Sequence, residues 1–155
     1  MIKYLNSKVT FAEVPTEVCL TFSISGCPHR CIGCNQPELW KDVGTPLFPS
    51  LAEEIAKNPN ITCVCILGGD ADHADVARCA AEVHRLGKKV AFYSGDDEID
   101  RKLLKVLDYY KVGHWDELYG PLNNPTTNQK LYRLERGKLV DITSSFWYKE
   151  NIWKK

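Results

Sequence analysis

The residues from Glu17 to Ser25 (EVCLTFSIS) alternate between apolar and polar and are rich in β-forming side chains, which predicts a strand running up to a cysteine-containing loop. Further on, SLAEEIAK places Leu51 and Ile55 at helical spacing behind Ser50, a good N-cap residue. The run ITCVCILGG is continuously apolar and is stopped by two glycines, as expected of a strand buried on both faces in a parallel sheet. DADHADVARCAAEVHRLG follows, with Val76, Cys79, Ala80, Val83 and Leu86 forming a helical stripe and Gly87 placed to cap it. KKVAFYSG predicts the next strand. In DDEIDRKLLKVL, the acidic opening and the single face shared by Ile99, Leu103, Val106 and Leu107 predict another helix. DYYKVG predicts a short strand. QKLYRLERGKLVDIT reads as strand, tight turn at Arg136-Gly137, strand: a hairpin extending the edge of a sheet.

Strand, helix, strand, helix, strand is the alternation that builds parallel sheets with right-handed crossovers. A complete eightfold barrel takes ~250 residues, more than the 155 present. The expected fold class is therefore α/β: a partial, open β/α barrel with a C-terminal β-hairpin, formed by one domain over residues 1–155. Three strand ends carry unusual residues: the cysteine loop after the first, Gly68-Gly69-Asp70 after the second and Tyr93-Ser94-Gly95 after the third. Parallel α/β folds bind ligands at the carboxyl ends of their strands, so these features are expected at one mouth.

Charge narrows the picture. Twenty basic residues balance twenty acidic ones, which gives no electrostatic reason to expect a nucleic acid or an anionic membrane as partner. The N-terminus, MIKYLNSKVTF, is polar where a signal peptide would be apolar, and the expected location is the cytoplasm. Seven cysteines are many for such a chain. Without export signals, metal or redox chemistry is a better use for them than disulfides. Cys19, Cys63 and Cys65 fall in predicted strands and Cys79 on a helical stripe, so these four are expected to pack in the core as small hydrophobes.

The other three, Cys27, Cys31 and Cys34 in GCPHRCIGC, have the spacing C-x3-C-x2-C. A structural zinc site wants four ligands, and His29 or a remote cysteine would complete one. An all-cysteine four-iron cluster in a closed site also wants four. Three thiolates on such a cluster leave one iron open to a chelating ligand, and Gly33 beside Cys34 removes a side chain where that ligand needs backbone proximity.

The cysteine spacing resembles the signature of the radical S-adenosylmethionine (SAM) enzymes. More narrowly, GCPHRCIGCNQPELW resembles the activating proteins of anaerobic (class III) ribonucleotide reductase, with Gly33 before the last cysteine and Asn35, Pro37 and Trp40 after it. ILGGD is similar to that family's Gly-Gly-acid motif, FYSG to its third-strand element, and the region with Asn128 and Gln129 to its C-terminal part. The resemblance implies a partial barrel of the radical SAM type, with a [4Fe-4S] cluster on Cys27, Cys31 and Cys34. SAM would be chelated by the fourth iron and held by Gly33, Asn35, Gly68, Gly69, Asp70, Ser94 and Asn128. Reductive cleavage of SAM would produce a 5'-deoxyadenosyl radical, which would make a glycyl radical on the reductase; a low-potential donor such as flavodoxin would supply the electron. Within this reading Asp70 accepts from the SAM ammonium and Ser94 donates to its carboxylate or ribose. The segment from Trp115 to Gln129 would form the rim facing the partner. His73, His84 and His114 show no ligand spacing and receive no role. Two other readings stand beside this one: another small radical SAM enzyme, including an activase for a different glycyl radical enzyme, and a non-catalytic zinc-binding module.

Overall fold

A computed structural model describes residues 1–11, 13–28, 41, 43–114, 116, 118–120, 122 and 124–144. The elements run β1 (Lys3–Thr10), β2 (Cys19–Ile24), β3 (Thr45–Pro46), α1 (Leu47–Lys57), β4 (Cys63–Leu67), α2 (His73–Arg85), β5 (Lys89–Tyr93), β6 (Tyr109–Val112), β7 (Lys130–Glu135) and β8 (Lys138–Asp141). They form a mixed α/β fold around an open eight-stranded sheet in the order β3-β1-β2-β4-β5-β6-β7-β8. The four central strands β2, β4, β5 and β6 are parallel, as the alternation of elements predicts. Antiparallel pairs flank them on both sides.

Most of the predicted elements are present, and the short β3 is an addition to them. β1 carries no alternation strong enough to announce it; its residues are half-exposed or exposed, and pairing with β2 is what makes it a strand. α1 begins at Leu47, ahead of the expected cap, and Ser50 Oγ donates back to the Pro46 carbonyl from inside the first turn. The helix expected over residues 96–107 is the largest correction. Only a 3-10 turn at Arg101–Leu103 forms there. The acidic residues that suggested a helix start are used otherwise: Asp96 N donates to Ser94 Oγ, Asp97 accepts from His114, and Asp100 accepts from Lys102 N. Such local side-chain bonds compete with the helical ladder. Leu103 and Leu107 still reach the core. At the other end, Arg136 and Gly137 both adopt positive φ, as a two-residue hairpin turn requires.

Burial divides the core between the two faces of the sheet. On one, Leu20, Phe22, Ile24, Val64, Ile66, Val90 and Phe92 pack with Leu47, Leu51 and Ile55 of α1 and with Val76, Cys79, Ala80 and Val83 of α2. On the other, Cys19, Cys63, Cys65, Ala91, Tyr109 and Leu131 meet Val14 of the loop between β1 and β2. The four cysteines expected in the core are all completely buried. Burial pushes the Cys79 thiol up to about 12, and the Cys63 thiol is driven far up by its hydrogen bond with Cys19 and by burial. The Cys63 and Cys79 thiols stay protonated and act as packing groups.

Two local devices hold the sheet in place. Glu17, 5% exposed, accepts from Thr62 Oγ1 (2.7 Å), Lys89 Nζ (3.0 Å) and Tyr109 Oη (2.7 Å), which tie the starts of β4, β5 and β6 to the start of β2. Burial opposes ionisation of this carboxyl, but the bonds from Thr62, Tyr109 and Lys89 outweigh it and its pKa is lowered. The second device is Gly69, at φ +114°, where an added Cβ would lie 2.9 Å from Val76 Cγ2 and 3.6 Å from Phe92 Cε1. It lets the start of α2 pack against β4 and β5. Gly87 also has positive φ (+84°) but faces open space.

Two stability predictions follow from these contacts. Glu17→Ala leaves the buried Tyr109 hydroxyl without its acceptor and is expected to cost about 2 kcal/mol in urea unfolding. Because the native pKa is depressed, the wild-type contribution is present above the ordinary carboxyl pKa and is lost as pH falls through the native value, so the difference between the proteins narrows in acid. Gly87→Ala is expected to cost about 1 kcal/mol from its backbone conformation alone. Gly69→Ala adds the contact with Val76 and is expected to cost about 1–3 kcal/mol more; equal midpoints for the two variants would contradict this packing.

Candidate cofactor site

The register of the parallel strands brings their carboxyl ends level. Ser23 pairs with Leu67, Leu67 with Tyr93, and Tyr93 with Lys111. The residues just beyond therefore share one edge: Cys27 after β2, Gly68-Gly69-Asp70 after β4, Ser94 to Asp96 after β5 and Gly113 after β6. Cys27 is half-buried. Cys31, Gly33, Cys34 and Asn35, like His29, Pro37 and Trp40, lie outside the described residues. The ends of their loop are described, and they are pinned together. Gly26 N donates to Lys41 O (2.9 Å), Ser25 N donates to Lys3 O (2.9 Å), and Ser25 Oγ makes a short bond to Val43 O. The residues on either side of the cysteine segment thus meet at one place beside the sheet, and three thiols at this sequence spacing are a donor set suited to an iron-sulfur cluster.

Asp70 lies at the centre of the described part of the edge, its side chain 3% exposed. Its Oδ1 accepts from Ser94 Oγ at 2.6 Å and its Oδ2 from Gly95 N at 2.7 Å. Ser94, fully buried, also accepts from Asp96 N at 2.9 Å. Asp70 and Ser94, which the sequence assigns separately to a ligand, are hydrogen-bonded to each other and join the ends of β4 and β5. Gly68 N adds a backbone bond to Tyr93 O at 2.9 Å. The space beside Gly69 is filled by Val76 and Phe92, so that glycine serves helix packing as well as any approach of a ligand.

At the end of β6 the buried Lys111 directs its Nζ to Ser94 O (3.1 Å) and Gly113 O (2.9 Å), with the Tyr93 ring centroid 5.9 Å away. Asn128 Nδ2 donates to His114 O at 3.2 Å, while its buried Oδ1 has no hydrogen-bond partner among the described residues. A buried acceptor in this state fits an N–H or O–H donated by a ligand. Gln129 is buried against Gly113. Of the expected partner rim, Leu118 and Tyr119 are exposed, whereas Trp115 lies outside the described residues.

His73 and Lys111 were not assigned a role from the sequence. His73 opens α2 and has Asp100 Oδ2 2.8 Å from its Nδ1 and Asp70 Oδ1 3.0 Å from its Nε2; Asp96 Oδ2 lies 3.6 Å from Nε2. The i, i+3 pair Asp70 and His73 at a helix start was a legible signal, whereas the approach of Asp96 and Asp100 depends on how the chain turns after β5. One atom from each of Asp70, His73 and Asp96 lies within 4.8 Å of the others, a closeness that accompanies the hydrogen bonding of His73. Beside them is a recess of about 510 Å³ lined by His73, Ile99 and the acidic residues 96–98 and 100.

Among the described residues, no helix is long and apolar enough to cross a membrane. Neither the curated proteins nor the solved structures contain a match to this chain. A family model described as a 4Fe-4S single cluster domain matches residues 16–113, from just before β2 to just after β6. That span contains the three-cysteine loop and all four parallel strands, and it covers more than half of the chain. The chain therefore belongs to the family of 4Fe-4S single cluster domains, the type of domain found in radical SAM activases.

Proposed function

We propose that this protein is a glycyl radical enzyme activase that uses SAM and acts on anaerobic ribonucleotide reductase. The observation that carries the reading is Cys27, first of the C-x3-C-x2-C cysteines, at the carboxyl end of β2, where the bond from Gly26 N to Lys41 O joins the two sides of the cysteine segment. Cys27, Cys31 and Cys34 would hold the cluster, which when reduced supplies the electron that cleaves SAM. The rest of the edge would bind and orient SAM. Backbone at Gly33, Gly68 and Gly69 offers close approach, and Asn35 would contact SAM from the cysteine loop. Asn128 Oδ1, which has no hydrogen-bond partner among the described residues, would accept from SAM. Ser94 and Asp70 would contribute through the rigid link between the ends of β4 and β5.

The open sheet supports a protein substrate. Its order begins at β3 and ends at β8 without closing, which is compatible with a partial barrel having room for a peptide loop beside the strand ends. A glycine of the reductase would have to be delivered there directly, because a carbon radical reacts with whatever is near. The segment from Trp115 to Gln129 would form the rim it meets, and a flavodoxin-like donor would reduce the cluster in the cytoplasm.

The test is an anaerobic assay with the reductase of the same organism, following SAM cleavage and, by electron paramagnetic resonance, the glycyl radical. Wild-type protein is expected to give both signals. Cys27→Ala, Cys31→Ala and Cys34→Ala are each expected to abolish both, and Cys79→Ala to leave both nearly unchanged. SAM cleavage without a radical on the reductase would assign the activase to another protein substrate. Retention of SAM cleavage in the Cys31 variant would overturn the cluster assignment.

A further inference from the structure

We propose that His73 is a positioning residue: clamped as an imidazolium between Asp70 and Asp100, it holds the glycine turn after β4 against the acidic segment after β5 and so sets the affinity of this edge for SAM. The inference rests on the reading of the edge as a SAM site. Its basis is that both ring nitrogens face carboxylates, Nδ1 at 2.8 Å from Asp100 Oδ2 and Nε2 at 3.0 Å from Asp70 Oδ1. A neutral imidazole has one N–H and would turn a lone pair toward one of the two; only the imidazolium donates to both.

The surroundings of the ring agree. Asp70 faces it from the turn after β4, and Asp96 and Asp100 from the segment after β5. Phe92 meets it edge-on from β5, and Tyr110 of β6 reaches the cluster by accepting from Asp100 N (3.1 Å). Asp97 and Glu98 line the same recess, and Asp72 caps the ring's own helix. Burial disfavours the charge on His73, but the bonds with Asp70 and Asp100 outweigh it, and its pKa is raised. The hydrogen bond from His73 in turn holds the Asp100 carboxyl below its ordinary range.

The consequence reaches the site through Asp70. The same carboxylate that receives His73 accepts from Ser94 Oγ and Gly95 N, so the ring fixes where the end of β5 lies relative to the glycine turn. Deprotonation would remove one positive charge from beside Asp70, Asp96 and Asp100. Since the native pKa is raised, the clamp is complete below the ordinary histidine pKa of about 6.5 and is lost as pH rises through the higher native value.

The experiment titrates SAM against the visible spectrum of cluster-loaded protein between about pH 6 and about pH 9, spanning the range in which a histidine with a raised pKa loses its charge. Wild-type affinity is expected to fall about tenfold across that range, the scale of one charge-assisted hydrogen bond. His73→Gln should bind weakly at every pH with unchanged iron content. His84→Gln should keep the wild-type profile, because His84 pairs with Asp108 at the opposite end of the sheet. A second readout needs neither cluster nor SAM. Amide exchange at Gly95, corrected for the intrinsic effect of pH, should quicken in wild type as His73 deprotonates, and should be fast at low pH in His73→Gln. A flat wild-type affinity profile while the His73 ring titrates would overturn the proposal, as would wild-type affinity and profile in His73→Gln. If wild-type protein binds no SAM at any pH, the reading of the site fails, and unaltered Gly95 exchange would separately refute the clamp.

Discussion

The structure depends on the parallel register of β2, β4, β5 and β6. A parallel sheet gives no short hairpins to fix its alignment, and each strand must be brought back by a crossover before any ladder bond forms. In this chain the register is secured at both ends by a buried carboxylate. Glu17 gathers Thr62, Lys89 and Tyr109 at the amino edge, and Asp70 gathers Ser94, Gly95 and His73 at the carboxyl edge. Each would be costly to bury alone and becomes a cross-link once its partners are in place. The apolar faces between them, filled by α1 and α2 on one side and Val14 on the other, supply the bulk of the burial.

The two edges have different chemistry. At the amino edge Lys89 provides a direct counter-charge for Glu17. At the carboxyl edge Asp70, Asp96 and Asp100 face His73, with Asp97 and Glu98 lining the same recess. Lys111 adds a buried ammonium held by the carbonyls of Ser94 and Gly113. The acidic motif residue Asp70 is therefore a structural centre whichever ligand the edge receives.

The central strands, both helices and the hairpin were legible because their signals are local. Continuous apolar runs bounded by glycines, a helical stripe ending at Gly87 and a turn at Arg136-Gly137 each specify an element without help from the rest of the chain. β1 was not legible, because a half-exposed polar strand exists only by pairing with β2. Residues 96–107 misled for a related reason. Acidic residues ahead of a periodic apolar run favour a helix by themselves, but here Asp96, Asp97 and Asp100 are bound by Ser94, His114, Lys102 and His73, groups that only the folded sheet places beside them.

By itself the sequence singled out a candidate donor set, Cys27, Cys31 and Cys34 at C-x3-C-x2-C spacing, and set apart the other four cysteines, whose apolar contexts mark them for the core. It also determined that the three distinctive motifs follow successive strands, because spacing and hydrophobic period are properties of neighbouring residues. Only the tertiary structure decided what Asp70 does with its charge. From sequence it is an acid free to meet a ligand, and in the fold its two oxygens accept from Ser94 and Gly95, with His73 against one of them. The physical reason is that a buried carboxylate must be satisfied by whatever donors the packing brings within reach, and those donors come from parts of the chain that no local pattern connects.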